Sequence, residues 1–244
     1  MDTFASEVLD KLRTYDTPTI CNLIELFEVR PRNMGYMDAR IKACFPEMPP
    51  IVGFASTATF RASAPPSGSD GYGSVQTQIE RFADLSGPAI VVFQDVDEPS
   101  VAATFGETMS MTYQAFGAVG LITSGSGRDL DQVRALNFPV FTNGICCSHG
   151  YSHIPQVHVP VHVGGIVVNP NDLLHCDCNG VTTIPIEIAA EVADTAYEYV
   201  AAEAVILDAL RSGTPSPKLY ADARKEAVER MEKLRAQVSR AAKK

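Results

Sequence analysis

Twenty-four residues, Gly106 to Asp129, constrain this chain more than any other stretch: GETMSMTYQAFGAVGLITSGSGRD has to hold a helix, a strand and a glycine-rich turn. Met109, Tyr113 and Phe116 are spaced by four and then three, which places them on one helical face, and Gly117 is positioned to end that helix. Val119 to Thr123 then reads as a strand running into Ser124-Gly125-Ser126-Gly127. A helix running back from Glu107, followed by a strand running forward, returns Arg128 and Asp129 to the neighbourhood of the helix's first turn. Arg128 follows Glu107 by 21 positions, and one helix plus one strand fill that interval.

The flanking segments supply further elements. Leu9, Leu12, Ile20, Leu23, Ile24 and Phe27 surround Thr17-Pro18-Thr19, which predicts two short helices, the second with Thr17 as N-cap and Pro18 in its first turn. After an irregular stretch from Arg30 to Pro50, Ile51 to Arg61 predicts a strand. Pro65 to Gly73 is a Gly/Ser/Pro loop, followed by a helical stretch with Val75, Ile79 and Phe82 on one face and by the compact buried strand Ala89 to Phe93.

Downstream, Asp129 to Leu136 reads as a short helix and Phe138 to Thr142 as a strand. Val157 to Val163 alternates Val with His or Pro, and Ile166 to Val168, Leu173 to Cys176 and Val181 to Ile184 are short strands. A long helical run after Pro185 ends at Ser212-Gly213, and a Thr-Pro-Ser-Pro linker leads to a charged helix from Lys218 to Lys244. The chain therefore divides into a domain over residues 1–212 and a linker with a charged C-terminal helix over residues 213–244.

Composition narrows the function. Hydrophobic residues make up 45% and charged residues 20%, ordinary globular values with enough apolar material for a substantial core. A net charge of -9, from 20 basic and 29 acidic side chains, argues against nucleic acid as a partner, because phosphate binding is dominated by Lys and Arg. The longest charge-free stretch, Thr108 to Gly127, is too rich in Thr, Ser, Gln and Gly for a membrane span. No positively charged segment precedes an apolar run at the start, so the expected location is cytoplasmic, and the six cysteines are read as thiols.

The chemistry centres on the first helical turn after Gly106. Backbone N–H groups at Thr108 and Met109, with the positive end of the helix dipole, favour a bound carboxylate, and Arg128 can add a bidentate fork to the same anion. Asp129 and Glu107 supply oxygen ligands, directly or through water, for a hard cation such as Mg²⁺. The bland alternative for Arg128-Asp129 is a surface ion pair or a helix cap.

These residues, with FPVFTNG, VPVHVGGIVVNPNDLLHCDCNGV and TTIP downstream, resemble the RraA-like family, which includes the 4-hydroxy-4-methyl-2-oxoglutarate and 4-carboxy-4-hydroxy-2-oxoadipate aldolases. The resemblance is continuous over about Ser100 to Pro185 and weaker from Thr17 to Phe93. It implies an α/β fold, an αββα sandwich with a mixed sheet and a C-terminal helical extension, assembled as a homotrimer or hexamer. It further implies a class II aldolase and oxaloacetate decarboxylase that uses Mg²⁺ or Mn²⁺. By the same resemblance Asp129 ligates the metal, Glu107 supports metal-bound water, and Arg128, Gly106, Thr108 and Met109 bind the 2-keto acid, with Arg128 and Glu107 catalytic.

The implied reaction is cleavage of a 4-hydroxy-2-keto diacid, or decarboxylation of oxaloacetate, through a pyruvate enolate that Arg128 stabilises. An aldol substrate also needs a base for its C4 hydroxyl, for which a metal-linked water or Glu198 or Glu203 of an adjacent subunit are candidates. Ser124-Gly125 departs from the Asp-Gly common in the family, a change that bears on substrate preference. The family also includes regulators that inhibit a ribonuclease by binding it; the acidic and Arg-Asp set favours the enzyme.

Other constellations are weaker. Cys146, Cys147, His149 and His153 with His175, Cys176 and Cys178 have poor spacing for zinc, since adjacent cysteines cannot easily face one tetrahedral ion. His158 and His162 are expected on one face of a strand, toward solvent or a subunit contact, and Asp177 in a turn. The tail is expected to be a solvated helix, and the distal end of a substrate is expected to meet loops such as Pro65 to Gly73.

Overall fold

The structure, a computed structural model, describes residues 4–66 and 73–241. Two short helices, α1 (Ser6–Leu12) and α2 (Thr17–Phe27), form as expected around Pro18. The N-cap of α2 is Asp16 rather than Thr17: the Asp16 carboxylate accepts the Thr19 N–H at 2.8 Å. Thr17 is drawn inward instead, its hydroxyl 2.9 Å from Nδ1 of the buried His175.

The succeeding elements are β1 (Lys42–Ala43), β2 (Ile51–Phe60), α3 (Gly73–Glu80), β3 (Ala89–Asp95), β4 (Ala103–Phe105), α4 (Glu107–Ala115) and β5 (Gly120–Thr123). Next come β6 (Ser126–Gly127), α5 (Leu130–Ala135), β7 (Val140–Thr142), β8 (Gly144–Ile145), β9 (Val161–Val163) and β10 (Ile166–Val168). The chain closes with β11 (Leu173–Asp177), β12 (Gly180–Ile184), α6 (Ala189–Ser212) and α7 (Pro217–Val238). The main sheet has seven strands in the order β1-β7-β5-β3-β2-β11-β12. Its β7-β5-β3-β2 centre is parallel and its outer pairs are antiparallel, which makes it the mixed sheet of an α/β fold.

The apolar run AIVVF in β3 follows from burial on both faces. Ala89, Val91 and Phe93 join a core with Leu12, Ile20 and Leu23 of the N-terminal helices and Val192 of α6. Ile90 and Val92 turn to a second core with Val161, Val163 and Val168 of the β9–β10 hairpin. A separate three-stranded parallel sheet, β4-β6-β8, lies beside the main one. Two of its strands, β4 and β6, end at the starts of α4 and α5 and so position the candidate site.

Several expectations are corrected. Only Val161–Val163 of the run Val157 to Val163 is a strand: His158 adopts φ +59° and donates its N–H to Thr57 O at 2.8 Å, so it does not share a strand face with His162. Phe116 is 61% exposed while Tyr113 is fully buried, because successive side chains of α4 divide between the core and an open cavity. The charged helix ends at Val238 and packs on its own chain, with Leu234 and Val238 in the main core and Arg240 N–H donating to Phe27 O at 2.9 Å. Residues 67–72 of the expected Pro65 to Gly73 loop lie outside the described residues, as do residues 242–244 of the tail. Among the described residues no helix is long and apolar enough to cross a membrane.

Candidate active site

Parallel pairing of β4 with β6 sets the site. Arg128 N–H donates to Phe105 O at 3.1 Å, which holds the exit of β6 beside the exit of β4. Gly106 follows Phe105 as the N-cap of α4, and Arg128-Asp129 follow β6 into α5. Two of these glycines lie in close contact with neighbouring side chains. A Cβ on Gly127 would lie 2.3 Å from the ring of buried Phe105, and one on Gly106 would lie 2.5 Å from Asp129 Oδ2 and 3.1 Å from Arg128 Nε. The space a side chain would fill at position 106 is thus taken by the side chains of Asp129 and Arg128.

Asp129 caps α5 in a left-handed conformation, φ +55°, which Asp tolerates better than most residues. That conformation turns its carboxylate back to α4, where Oδ2 accepts the Glu107 N–H at 3.1 Å and lies 3.7 Å from Arg128 Nε. The Asp129 carboxylate takes only the Glu107 N–H of α4, and among the described residues no side chain takes those of Thr108 and Met109, which keep the free amides of a helix N-terminus. Gly106, Thr108, Met109, Arg128 and Asp129 together border a cavity of about 840 Å³. The Glu107 side chain is exposed, and its backbone N–H is held by Asp129 Oδ2.

Mg²⁺ is ordinarily held by one or two carboxylates and keeps several waters. Asp129 fits that requirement: Oδ1 carries no hydrogen bond among the described residues, and the side chain is 39% exposed beside the cavity. Among the described residues no group of three or more His, Cys, Asp or Glu could hold a metal ion; a hydrated cation held at this cavity would have Asp129 as its carboxylate ligand. The Cys/His set does not gather: His175 and Cys176 are fully buried in β11 while Cys147 is exposed on a loop.

Behind the glycine-rich turn stands a residue that motif reading missed. A Cβ on Gly125 would lie 2.5 Å from both Asp95 Oδ2 and Thr104 Oγ1, so the turn closes over these two groups. Burial pushes the Asp95 carboxyl above the usual carboxylate range, and Oδ2 has no partner among the described residues. Thr104, His149 and Ser152 also border the cavity. Asp95 ends a buried strand, a position at which an acid is conspicuous in the sequence; Thr104 and Ser152 carried no such signal. Within this chain Glu198 and Glu203 lie on α6 away from the cavity, and Glu203 accepts the Tyr199 hydroxyl at 2.8 Å. Asp177, expected in a turn, is instead the buried last residue of β11, paired with Gly180 of β12, and its carboxylate accepts the N–H groups of Thr17 and Asn179.

Comparison with known proteins bears on the family and the fold. The RraA-like family model, described as Aldolase/RraA, matches residues 17–183. An uncharacterised protein of Methanocaldococcus jannaschii is 33% identical over 95 residues, 38% of this chain and 46% of that protein. A protein of Halalkalibacterium halodurans, provisionally named as a 4-hydroxy-4-methyl-2-oxoglutarate aldolase, is 31% identical over 99 residues, 40% of this chain and 47% of that protein. The chain thus spans less than half the length of these relatives. An uncharacterised protein of Pseudomonas syringae has a solved structure that superposes with a TM-score of 0.70 at 25% identity, covering 91% of this chain and 95% of that one. The fold is also that of Streptomyces coelicolor RraAS2, described as an unusual member of the RNase ES inhibitor RraA protein family, with a TM-score of 0.66, 21% identity and coverage of 84% and 97%. With its model matched over most of the chain and its fold reproduced, this protein belongs to the RraA-like family.

Proposed function

We propose that the chain is a carbon–carbon lyase that cleaves 4-hydroxy-2-keto acids, diacids among them, and decarboxylates oxaloacetate, in each case through a pyruvate enolate. The observation that carries the reading is the hydrogen bond from Glu107 N–H to Asp129 Oδ2, which gathers an anion-binding helix start, a guanidinium and a carboxylate at one cavity. The free amides of Thr108 and Met109 and the fork of Arg128 hold the substrate carboxylate and keto oxygen. Arg128 then stabilises the negative charge that develops on that oxygen, which is where electrostatic catalysis acts most strongly. Mg²⁺ or Mn²⁺ held by Asp129 would supply Lewis acidity at the same oxygen. The aldol reaction also needs a proton acceptor, for which water or a glutamate of an adjacent subunit in a homotrimer or hexamer is proposed.

Pyruvate release from oxaloacetate and from 4-hydroxy-4-methyl-2-oxoglutarate, followed with Mg²⁺ or Mn²⁺ and again after EDTA, tests the reading. Activity that disappears in chelator and returns with added metal is expected. Undiminished turnover in EDTA would remove the metal from the proposal. A protein that releases no pyruvate with either metal would instead be a non-catalytic binder, the other role represented in the family.

A further inference from the structure

The cavity has two chemically different ends. The head, at Arg128, Asp129 and the start of α4, is described above. The remainder, a groove, runs between α3 and α4: Val75, Ile79 and Met109, with Phe116 at the C-cap of α4, form an apolar wall, and Gln76, Glu80 and Thr112 line it as well. Val75, Ile79 and Met109 are half-buried against the main core, so this apolar wall is fixed by packing, and Phe116 extends it outward at 61% exposure. Among the described residues bordering the cavity, Arg128 is the only Lys or Arg, and it is engaged at the head. The charge the groove does contain is negative: Glu80, whose carboxylate accepts the Gln76 side-chain amide at 2.8 Å.

A second carboxylate on a substrate would therefore lose water against Val75, Ile79, Met109 and Phe116, meet no guanidinium or ammonium among the described residues there, and approach Glu80, with only the neutral side chains of Gln76 and Thr112 to replace the lost water. Each of these disfavours the charged form. An uncharged apolar group would bury against the same four side chains, as occupants of largely apolar pockets do. From this groove we infer that the substrates preferred by the chain are 4-hydroxy-2-keto monoacids with an aryl or branched alkyl group on C4, rather than diacids. The inference rests on the lyase reading and deepens it. In the reaction the C3–C4 bond breaks, the C4 hydroxyl gives its proton to a solvent base as the carbonyl forms, and the bonding pair becomes the C2–C3 double bond of the enolate. Protonation at C3 gives pyruvate, and the apolar tail leaves as an aldehyde.

Two uncleavable acids with the same head read the tail alone: 2-oxo-4-phenylbutanoate and 2-oxoglutarate, titrated calorimetrically with Mg²⁺ at pH 8. The phenyl acid is expected to bind at least about tenfold more tightly, the scale on which an apolar pocket discriminates. Glu80→Lys, an exposed change near the end of α3, should shrink that ratio at least about threefold by strengthening 2-oxoglutarate binding. Equal or tighter binding of 2-oxoglutarate by the parent, or binding of neither acid, overturns the inference. Parallel assays for pyruvate release from 4-hydroxy-2-oxo-4-phenylbutanoate, 4-hydroxy-4-methyl-2-oxoglutarate and oxaloacetate separate the two levels. Preference for the diacid with oxaloacetate still decarboxylated overturns the substrate class and leaves the lyase standing. Phenyl-acid binding with no pyruvate from any of the three overturns the lyase reading, and the substrate assignment with it.

Discussion

The backbone N–H of Glu107 and the Oδ2 atom of Asp129 lie 3.1 Å apart, so a single carboxylate ties the first turn of α4 to the cap position of α5. The site's anion-binding amides and its proposed metal ligand are therefore held by one contact between residues 22 positions apart.

That contact survives Asp129→Asn, because the amide oxygen can still accept the Glu107 N–H, while the negative charge is lost. Decarboxylation of oxaloacetate is expected to fall at least about 100-fold with the melting temperature nearly unchanged. Exchange of the pyruvate methyl protons in heavy water, followed by proton NMR, should slow in parallel because both processes pass through the same enolate. Exchange retained while decarboxylation is lost would dissolve the single-enolate mechanism.

Arg128→Lys keeps the charge and removes the planar fork. A drop of about 10²- to 10³-fold in kcat/KM is expected, the usual effect of removing one donor to a developing oxyanion. A Lys variant within twofold of the parent would mark Arg128 as an ordinary surface ion-pair residue.

Two glycines separate positioning from stability. Gly106→Ala drives a methyl into the space of Asp129 Oδ2, a partly exposed carboxylate that can move aside, so folding should hold while activity falls about 100-fold through misplacement of the side chain. Gly127→Ala meets the ring of buried Phe105, which cannot move freely, and should cost about 1–3 kcal/mol of stability. Urea denaturation beside the pyruvate assay reads both; equal loss of stability in the two variants would contradict this distinction.

His175 makes stability depend on pH. It is buried, with Nε2 positioned to donate to Leu12 O at 3.1 Å and Nδ1 to accept the Thr17 hydroxyl at 2.9 Å, an arrangement that suits the neutral ring. Burial lowers its pKa below the ordinary value of 6.5. The unfolded chain then takes up the proton first as pH falls, so this contribution to stability is complete above about pH 6.5 and is lost progressively below it. His175→Gln should show a smaller fall in the urea midpoint between pH 7.5 and 5.5 than the parent. An equal fall in both would assign the acid sensitivity to other groups.

Much of the fold is local and was legible in the chain itself. The stop at Gly117, Pro18 in the first turn of α2, the doubly buried run in β3 and the 21-residue step from Glu107 to Arg128 are properties of neighbouring residues, and a 3.6- or 2-residue period carries them directly. Only the tertiary structure decided that Asp16 rather than Thr17 caps α2, because the competing partner of Thr17, His175, is 158 residues away. It also placed Phe116 on the cavity and His158 outside its strand, set Asp95 beneath the Gly125 turn, and gave Asp129 the left-handed turn that points it at Glu107. Each of these depends on pairing or packing between segments far apart in sequence. The two strands that create the site, β4 and β6, are only three and two residues long, so the pairing that aligns them leaves almost no periodic trace in the chain.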